Sequence, residues 1–192
     1  MITKRIFSNK GNLIQGPLIF EPNIFNDHRG SFYESWNQST FDNEIGEKII
    51  FSQDNHSFSN SGVLRGLHYQ ILPFAQRKLI RCVSGEIFDV ALDIRKSSPT
   101  FLEWGSIKLN NINKLMLWIP IGFAHGFLSL KDNTIVLYKA SGPYSKEHER
   151  SIRWCDPKIN IKWPLPYCSI SYPKLSEKDS KAPLIENAEI FK

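Results

Sequence analysis

From Leu18 onward, short runs of β-branched, aromatic and aliphatic residues, several alternating with polar ones, are broken at close intervals by clusters of Gly, Pro, Asn, Asp and Ser. Alternation with a period of two places one face of a strand in a core and the other in solvent, and turn residues at this spacing belong to β-sandwiches and barrels. The pattern predicts strands over Leu18–Phe20, Ser31–Trp36, Lys48–Ser57, Phe127–Leu130 and Thr134–Ala140. It also predicts a hairpin of Lys78–Ser84 with Glu86–Ile94 about Gly85, and a second pair from Leu102–Leu109 and Lys114–Ile119. Helical signals are few. Gln38 to Gly46 reads as a helix stopped by its glycine, and Ser176-Glu-Lys-Asp179 reads as the capping box of a short one. Beyond Gly142-Pro143 the composition shifts to Pro, Lys and Ser, which predicts an irregular tail packed over the barrel. One all-β domain spanning residues 1–192 is the expectation.

The same alternation says which polar residues share a face. Phe32, Glu34 and Trp36 point one way, as do Phe51, Gln53 and Asn55, and so do Val136, Tyr138 and Ala140. In the stretch Gly62 to Cys82, His68 and Gln70 share a face, but Arg65 stands three residues from His68 and a regular strand would aim it oppositely. If both serve one site, Gly66 marks a bulge or the strand begins after it.

Composition narrows the setting. Net charge is +5 at pH 7, yet the Lys and Arg residues are scattered, which argues against nucleic acid as a partner. The three cysteines, Cys82, Cys155 and Cys168, are odd in number, far apart and free of a C-x-x-C pair. Neither a disulfide framework nor a zinc ribbon is indicated, and a reducing, cytoplasmic setting is expected. No run approaches the ~18 apolar residues of a membrane span.

Candidate chemistry gathers around His68, Lys78 and Arg65. An imidazole exchanges protons near neutral pH, an ammonium can stand opposite a developing oxyanion, and a guanidinium suits phosphate or carboxylate. Each has a plainer reading. His68 fits a core imidazole bonded to a carbonyl, Lys78 and Arg81 fit edge-strand charges, Tyr138 fits a core aromatic, and Asp179 fits a helix cap. A metal is not expected. Small barrels that hold one often do so on an H-x-H pair, and here those positions read His68-Tyr69-Gln70.

Seven motifs in order carry a more specific signal: Asp-His-Arg-Gly-Ser-Phe-Tyr-Glu-Ser, Gln-Asp-Asn-His-Ser, Leu-Arg-Gly-Leu-His-Tyr-Gln, Lys-Leu-Ile-Arg-Cys, Gly-Phe-Ala-His-Gly-Phe, Leu-Tyr-Lys-Ala and Leu-Ser-Glu-Lys-Asp. From about Leu18 to Ile185 the chain resembles the dTDP-4-dehydrorhamnose 3,5-epimerase family. The resemblance implies a metal-free, cofactor-free cupin-type jelly-roll that inverts C3 and C5 of dTDP-4-dehydro-6-deoxy-D-glucose for dTDP-L-rhamnose synthesis. By resemblance His68 is the base, Lys78 stabilises the enolate, Tyr138 is the acid and Asp179 orients the histidine. Arg29, Glu34, Gln53, Asp54, Asn55, Arg65, His125, Glu149 and Lys178 are implied around the nucleotide-sugar, with Phe32 and Tyr144 as stacking surfaces. A homodimer whose N-terminal strands pair with the partner is implied as well. Relatives that epimerise one carbon keep the same base and acid, so a C3-only or C5-only enzyme is the alternative, followed by a binding protein without turnover. One departure stands beside the lysine, where Arg77 replaces the family's usual glycine.

Overall fold

The alternating segments form thirteen strands in a computed structural model that describes residues 1–191. In chain order these are β1 (Ile2–Phe7), β2 (Leu13–Glu21), β3 (Ile24–Asp27), β4 (Gly30–Tyr33), β5 (Gln53–Ser59), β6 (Leu64–Gln70) and β7 (Lys78–Ser84). They continue as β8 (Glu86–Asp93), β9 (Trp104–Asn110), β10 (Met116–Ile119), β11 (Phe123–Ser129), β12 (Thr134–Ala140) and β13 (Glu149–Ser151). Helix α1 (Gln38–Ile45) follows β4, and the single turn α2 (Glu177–Ser180) lies in the tail. A six-stranded sheet runs β1-β2-β10-β7-β12-β5 and a five-stranded sheet β13-β6-β11-β8-β9, while β3 and β4 form a separate hairpin. Ile80, Leu117 and Val136 of the first sheet pack on Ile87, Ala91, Phe123 and Phe127 of the second, giving the expected sandwich.

Both outer faces are covered in part. Leu18, Phe20, Leu79, Met116 and Trp118 on the large sheet lie under Phe41 of α1 and Ile49 of the loop after it. On the small sheet Leu64, Val90, Leu92 and Leu128 lie under Ile152, Trp154, Ile161 and Trp163 of the tail. A strand covered on both faces has no polar side to display, which is why β11 is buried at every position and its run shows no alternation.

The structure departs from the expected hairpins. β7 pairs with β10 and β12, whereas β8 pairs with β9 and β11, so the chain crosses from one sheet to the other at Gly85. A single linking residue is too short for the two-residue turn that closes a hairpin. The turn packs on Thr134 at φ 74°, where an added Cβ would lie 2.3 Å from Thr134 Oγ1. β9 and β10 likewise belong to different sheets. Strand β4 ends at Tyr33 rather than reaching Trp36, because Trp36 turns inward onto Phe41 and Phe51. Glu34 is thereby exposed and accepts from Asn37 Nδ2, 3.0 Å away, instead of sharing a strand face with Phe32 and Trp36. Residues 48–52 form no strand, since Asp42 and Gln38 of α1 hold the backbone of Ile49.

Gly66 is the bulge that lets Arg65 and His68 serve one side. Its φ is 119°, and the β6–β11 register shifts between the His125 and Phe127 positions. A Cβ here would sit 2.6 Å from both Gly126 Cα and the His125 carbonyl oxygen. Gly66→Ala should therefore cost at least ~1–3 kcal/mol from backbone strain alone, before the clash is added. Urea unfolding should show a lower midpoint with an unchanged slope, and a midpoint equal to that of the parent would contradict the reading.

Candidate active site

The hydrophobic filling of the sandwich stops short of one end, where the two sheets enclose a cavity of about 650 Å³. It continues into a second chamber of about 340 Å³, and His68, Lys78, Tyr138 and Glu149 line both. His68 comes from β6 of the small sheet, and Lys78 and Tyr138 come from β7 and β12 of the large one. Strand alternation accounts for the selection. Lys78, Ile80 and Cys82 project inward from β7, and Val136 and Tyr138 project inward from β12.

His68 Nε2 lies 2.5 Å from Asp179 Oδ1, a contact that ties the C-terminal tail to the small sheet. The Asp179 backbone N–H also donates to Ser176 Oγ at 3.1 Å. The capping role and the histidine contact thus coexist, one using the backbone of Asp179 and the other its carboxylate. Burial pushes the Asp179 carboxyl up, but the His68 bond and charge, Ser176 and Lys178 together hold it below its usual range. For His68, burial is the largest influence and lowers the imidazole below 6.5. Asp179 works against that, and the Lys178 and Lys78 charges add to it. An ionised Asp179 only accepts, so Nε2 carries the hydrogen and Nδ1 of the neutral ring keeps its lone pair.

Burial lowers the Lys78 ammonium to about 8, partly offset by Glu149 and Asp89. Its Nζ lies 5.9 Å from the centre of the Tyr138 ring. Burial raises Tyr138, so the phenol stays protonated at neutral pH. The cavity therefore holds a neutral imidazole on one wall, and an ammonium and a phenol on the other.

Polar residues surround this trio. Glu149 accepts from Lys178 Nζ at 2.7 Å and from Tyr144 Oη at 2.9 Å. Gln53 donates to Asn55 at 2.8 Å. Arg65 is held by Ser59 Oγ and the Phe58 carbonyl, and both Arg65 and His125 line the larger chamber. Gln70 is a brace: its amide donates to the Phe74 and Pro143 carbonyls and accepts from Ser145 N. Among the described residues no group of three or more His, Cys, Asp or Glu converges as a metal would require.

Four expected residues lie elsewhere. Asp54 faces out of the sandwich and pairs with Lys139, because alternation along β5 sets it opposite Gln53 and Asn55. Arg29, Phe32 and Glu34 belong to the β3–β4 hairpin and the residue after it. There Arg29 pairs with its own Asp27 and Phe32 is 73 % exposed, away from the cavity of this chain. Arg77 turns to Glu47 on the loop after α1 and does not line the cavity. Asp89, which holds His125, was missed. Its signal was a lone carboxylate in the apolar run Ile-Phe-Asp-Val-Ala-Leu.

A family model described as dTDP-4-dehydrorhamnose 3,5-epimerase matches residues 12–187. Over 174 residues the chain is 54% identical to the dTDP-4-dehydrorhamnose 3,5-epimerase of Shigella flexneri, covering 91% of this chain and 93% of that one. The namesake from Salmonella typhimurium is 53% identical over 171 residues, 89% of this chain and 91% of that one. Among solved structures, a dTDP-6-deoxy-D-glucose-3,5-epimerase from Legionella pneumophila in complex with dTDP-4-keto-L-rhamnose superposes with a TM-score of 0.87. It is 42% identical and covers 97% of this chain and 94% of that one.

Asp179 raises His68, so Asp179→Asn should let burial act unopposed and move the imidazole to still lower pH. An NMR pH titration of the His68 ring measures this directly. An unchanged or higher midpoint would mean that the contact does not govern the histidine.

Proposed function

The chain belongs to the dTDP-4-dehydrorhamnose 3,5-epimerase family, and from that premise we propose how its cavity carries out the reaction. The substrate is dTDP-4-dehydro-6-deoxy-D-glucose. Hydrogens on C3 and C5 are acidic because their loss gives an enolate conjugated with the C4 ketone. Inversion therefore needs a base on one face, a cation or donor at the ketone oxygen, and an acid on the other face. His68 Nδ1 takes the proton, and Asp179 balances the imidazolium that forms. Lys78 stands at the oxygen as it becomes negative, and the Tyr138 hydroxyl returns a proton from the opposite wall. The observation that carries this reading is that His68 and Tyr138 enter one cavity from opposing sheets, with Lys78 beside the tyrosine.

Gln53, Asn55, Arg65, His125, Tyr144, Glu149 and Lys178 bind the nucleotide-sugar in this reading, the guanidinium of Arg65 matching the diphosphate. The hairpin suggests the quaternary arrangement. Arg29, Phe32 and Glu34 lie outside their own cavity, and Ile24, Phe25 and Phe32 are exposed apolar residues at the same place. A homodimer in which this hairpin reaches the partner covers that surface and brings the three residues to a site. The free cysteines accord with a cytoplasmic enzyme.

In deuterated water the ketosugar should acquire deuterium at both C3 and C5. Label at one carbon alone would sink the double reaction. Tyr138→Phe should still exchange the abstracted hydrogen, because His68 can return it to the same face, while inversion falls by ~10²-fold or more. Retained inversion would remove Tyr138 from the mechanism.

The pH dependence follows from the two shifted groups. His68 must be neutral, so kcat/KM should fall as pH drops through a value below 6.5. Lys78 must be charged, so kcat/KM should fall again as pH rises through about 8. Lys78→Arg should move only the alkaline limb upward, since a guanidinium stays protonated. An alkaline limb that stays in place in this variant would assign it to another group.

A further inference from the structure

Beside the His68–Asp179 pair lies a second histidine–carboxylate pair. His125 on β11 stands directly opposite His68 on β6 in the sheet register, and His125 Nε2 lies 2.5 Å from Asp89 Oδ1 on β8. The Asp89 side chain is 0% exposed, and its Oδ2 is buried with no hydrogen-bond partner. His125 is the only group that bonds its carboxylate among the described residues.

β8 itself shows what a buried anion requires. Four residues on, Asp93 accepts from Arg95 Nε and Nη2, from Ser98 Oγ and from Thr100 Oγ1. Asp89 has neither a guanidinium nor a hydroxyl. Lys78 stands within range of its field but forms no ion pair with it among the described residues. A fully buried carboxylate bonded at one oxygen is costly as an unbalanced charge. With no ion pair or second hydrogen bond on Asp89 among the described residues, a proton shared within the pair is the direct way to balance it.

A pair of zero net charge has two forms. Either Asp89 is ionised and His125 is an imidazolium, or Asp89 is protonated and donates to Nε2 of a neutral ring. In both, Nδ1 carries a hydrogen. Only the net negative form leaves a lone pair on Nδ1, and that form suits the neighbouring pair, where the Lys178 charge helps hold the Asp179 carboxylate ionised.

We infer that Asp89 is a positioning residue that keeps the buried Asp89–His125 pair at zero net charge, so that His125 presents Nδ1–H to the cavity as a hydrogen-bond donor for a sugar oxygen. Two adjacent histidines then do opposite work, His68 accepting a proton and His125 donating a hydrogen bond. The ligand assignment rests on the proposed epimerase reading, whereas the protonation pattern is a property of the free protein.

The full chain labelled with ¹⁵N-histidine, with its ring signals assigned through His125→Asn, tests that pattern at pH 7 without substrate. Nδ1 of His125 should resonate as a protonated nitrogen and Nδ1 of His68 as a bare, pyridine-like one. A pyridine-like Nδ1 on His125 would overturn the inference, whether or not the protein turns over the ketosugar. Asp89→Leu removes the carboxylate at similar volume. It should let the His125 ring take the other tautomer and lower kcat/KM for the dTDP-ketosugar by ~10-fold or more, the scale of one lost hydrogen bond, while the affinity for dTDP alone stays the same. Unchanged kcat/KM in that variant would remove Asp89 from a positioning role. If the variant fails to fold, the spectrum of the parent protein decides.

Discussion

The site depends on the contact of two glycines, Gly66 on β6 and Gly126 on β11, at the centre of the small sheet. A Cβ on Gly126 would lie 3.0 Å from the Arg65 carbonyl oxygen and 3.3 Å from Gly66 Cα, and one on Gly66 would lie closer still to β11. With hydrogen alone at both positions, the strands approach and the register shifts by a residue. That shift brings Arg65 and His68 to the same cavity although three residues separate them. It also leaves His125 opposite His68. One local irregularity therefore places three polar side chains of the larger chamber, and the surrounding ladder holds them there.

Buried carboxylates then divide the labour. Asp93 is saturated by Arg95, Ser98 and Thr100 and braces the chain after β8. Asp179 meets one histidine with the Lys178 charge nearby, and Asp89 meets one histidine with no other hydrogen bond on its carboxylate among the described residues. The residue type is constant and the role follows from the donors around it. Burial works against the charge of Asp93 and of Asp179, and what decides each case is whether a guanidinium, an imidazole or a hydroxyl balances it.

Much of this was legible in the sequence because period-two alternation reports directly on which side chains share a face. The pairing of Gln53 with Asn55, the shared face of Val136 and Tyr138 and the bulge as one of two options at Gly66 all followed from it, whereas Asp54, implied at the nucleotide-sugar by resemblance, faces out. Sheet membership was not legible. β7 and β8 read as a hairpin because each has strand character, and nothing in their patterns says that a single glycine carries the chain across the sandwich. The contact of His68 with Asp179 spans 111 positions and arises only when the tail folds over the small sheet. Its local signal, a capping box, described the backbone of Asp179 correctly and was silent about its carboxylate. The seven ordered motifs supplied that long-range association as a resemblance, and the structure supplied its geometry.

Inverting a carbon requires that the proton leave from one side of the ring and return from the other, so base and acid must not share a wall. Strands within one sheet would present both groups from the same direction. A sandwich with an unfilled end answers this requirement, since its facing sheets hold side chains that point toward each other across the width of a sugar. The apolar packing of Ile80, Ala91, Phe127 and Val136 fixes the separation of the sheets immediately beside the cavity. The same packing that folds the chain sets the distance between His68 and Tyr138. Lys78 marks the limit of the arrangement: deeper burial would take its charge away, and greater exposure would weaken its hold on an oxyanion. Glu149 keeps it between those limits.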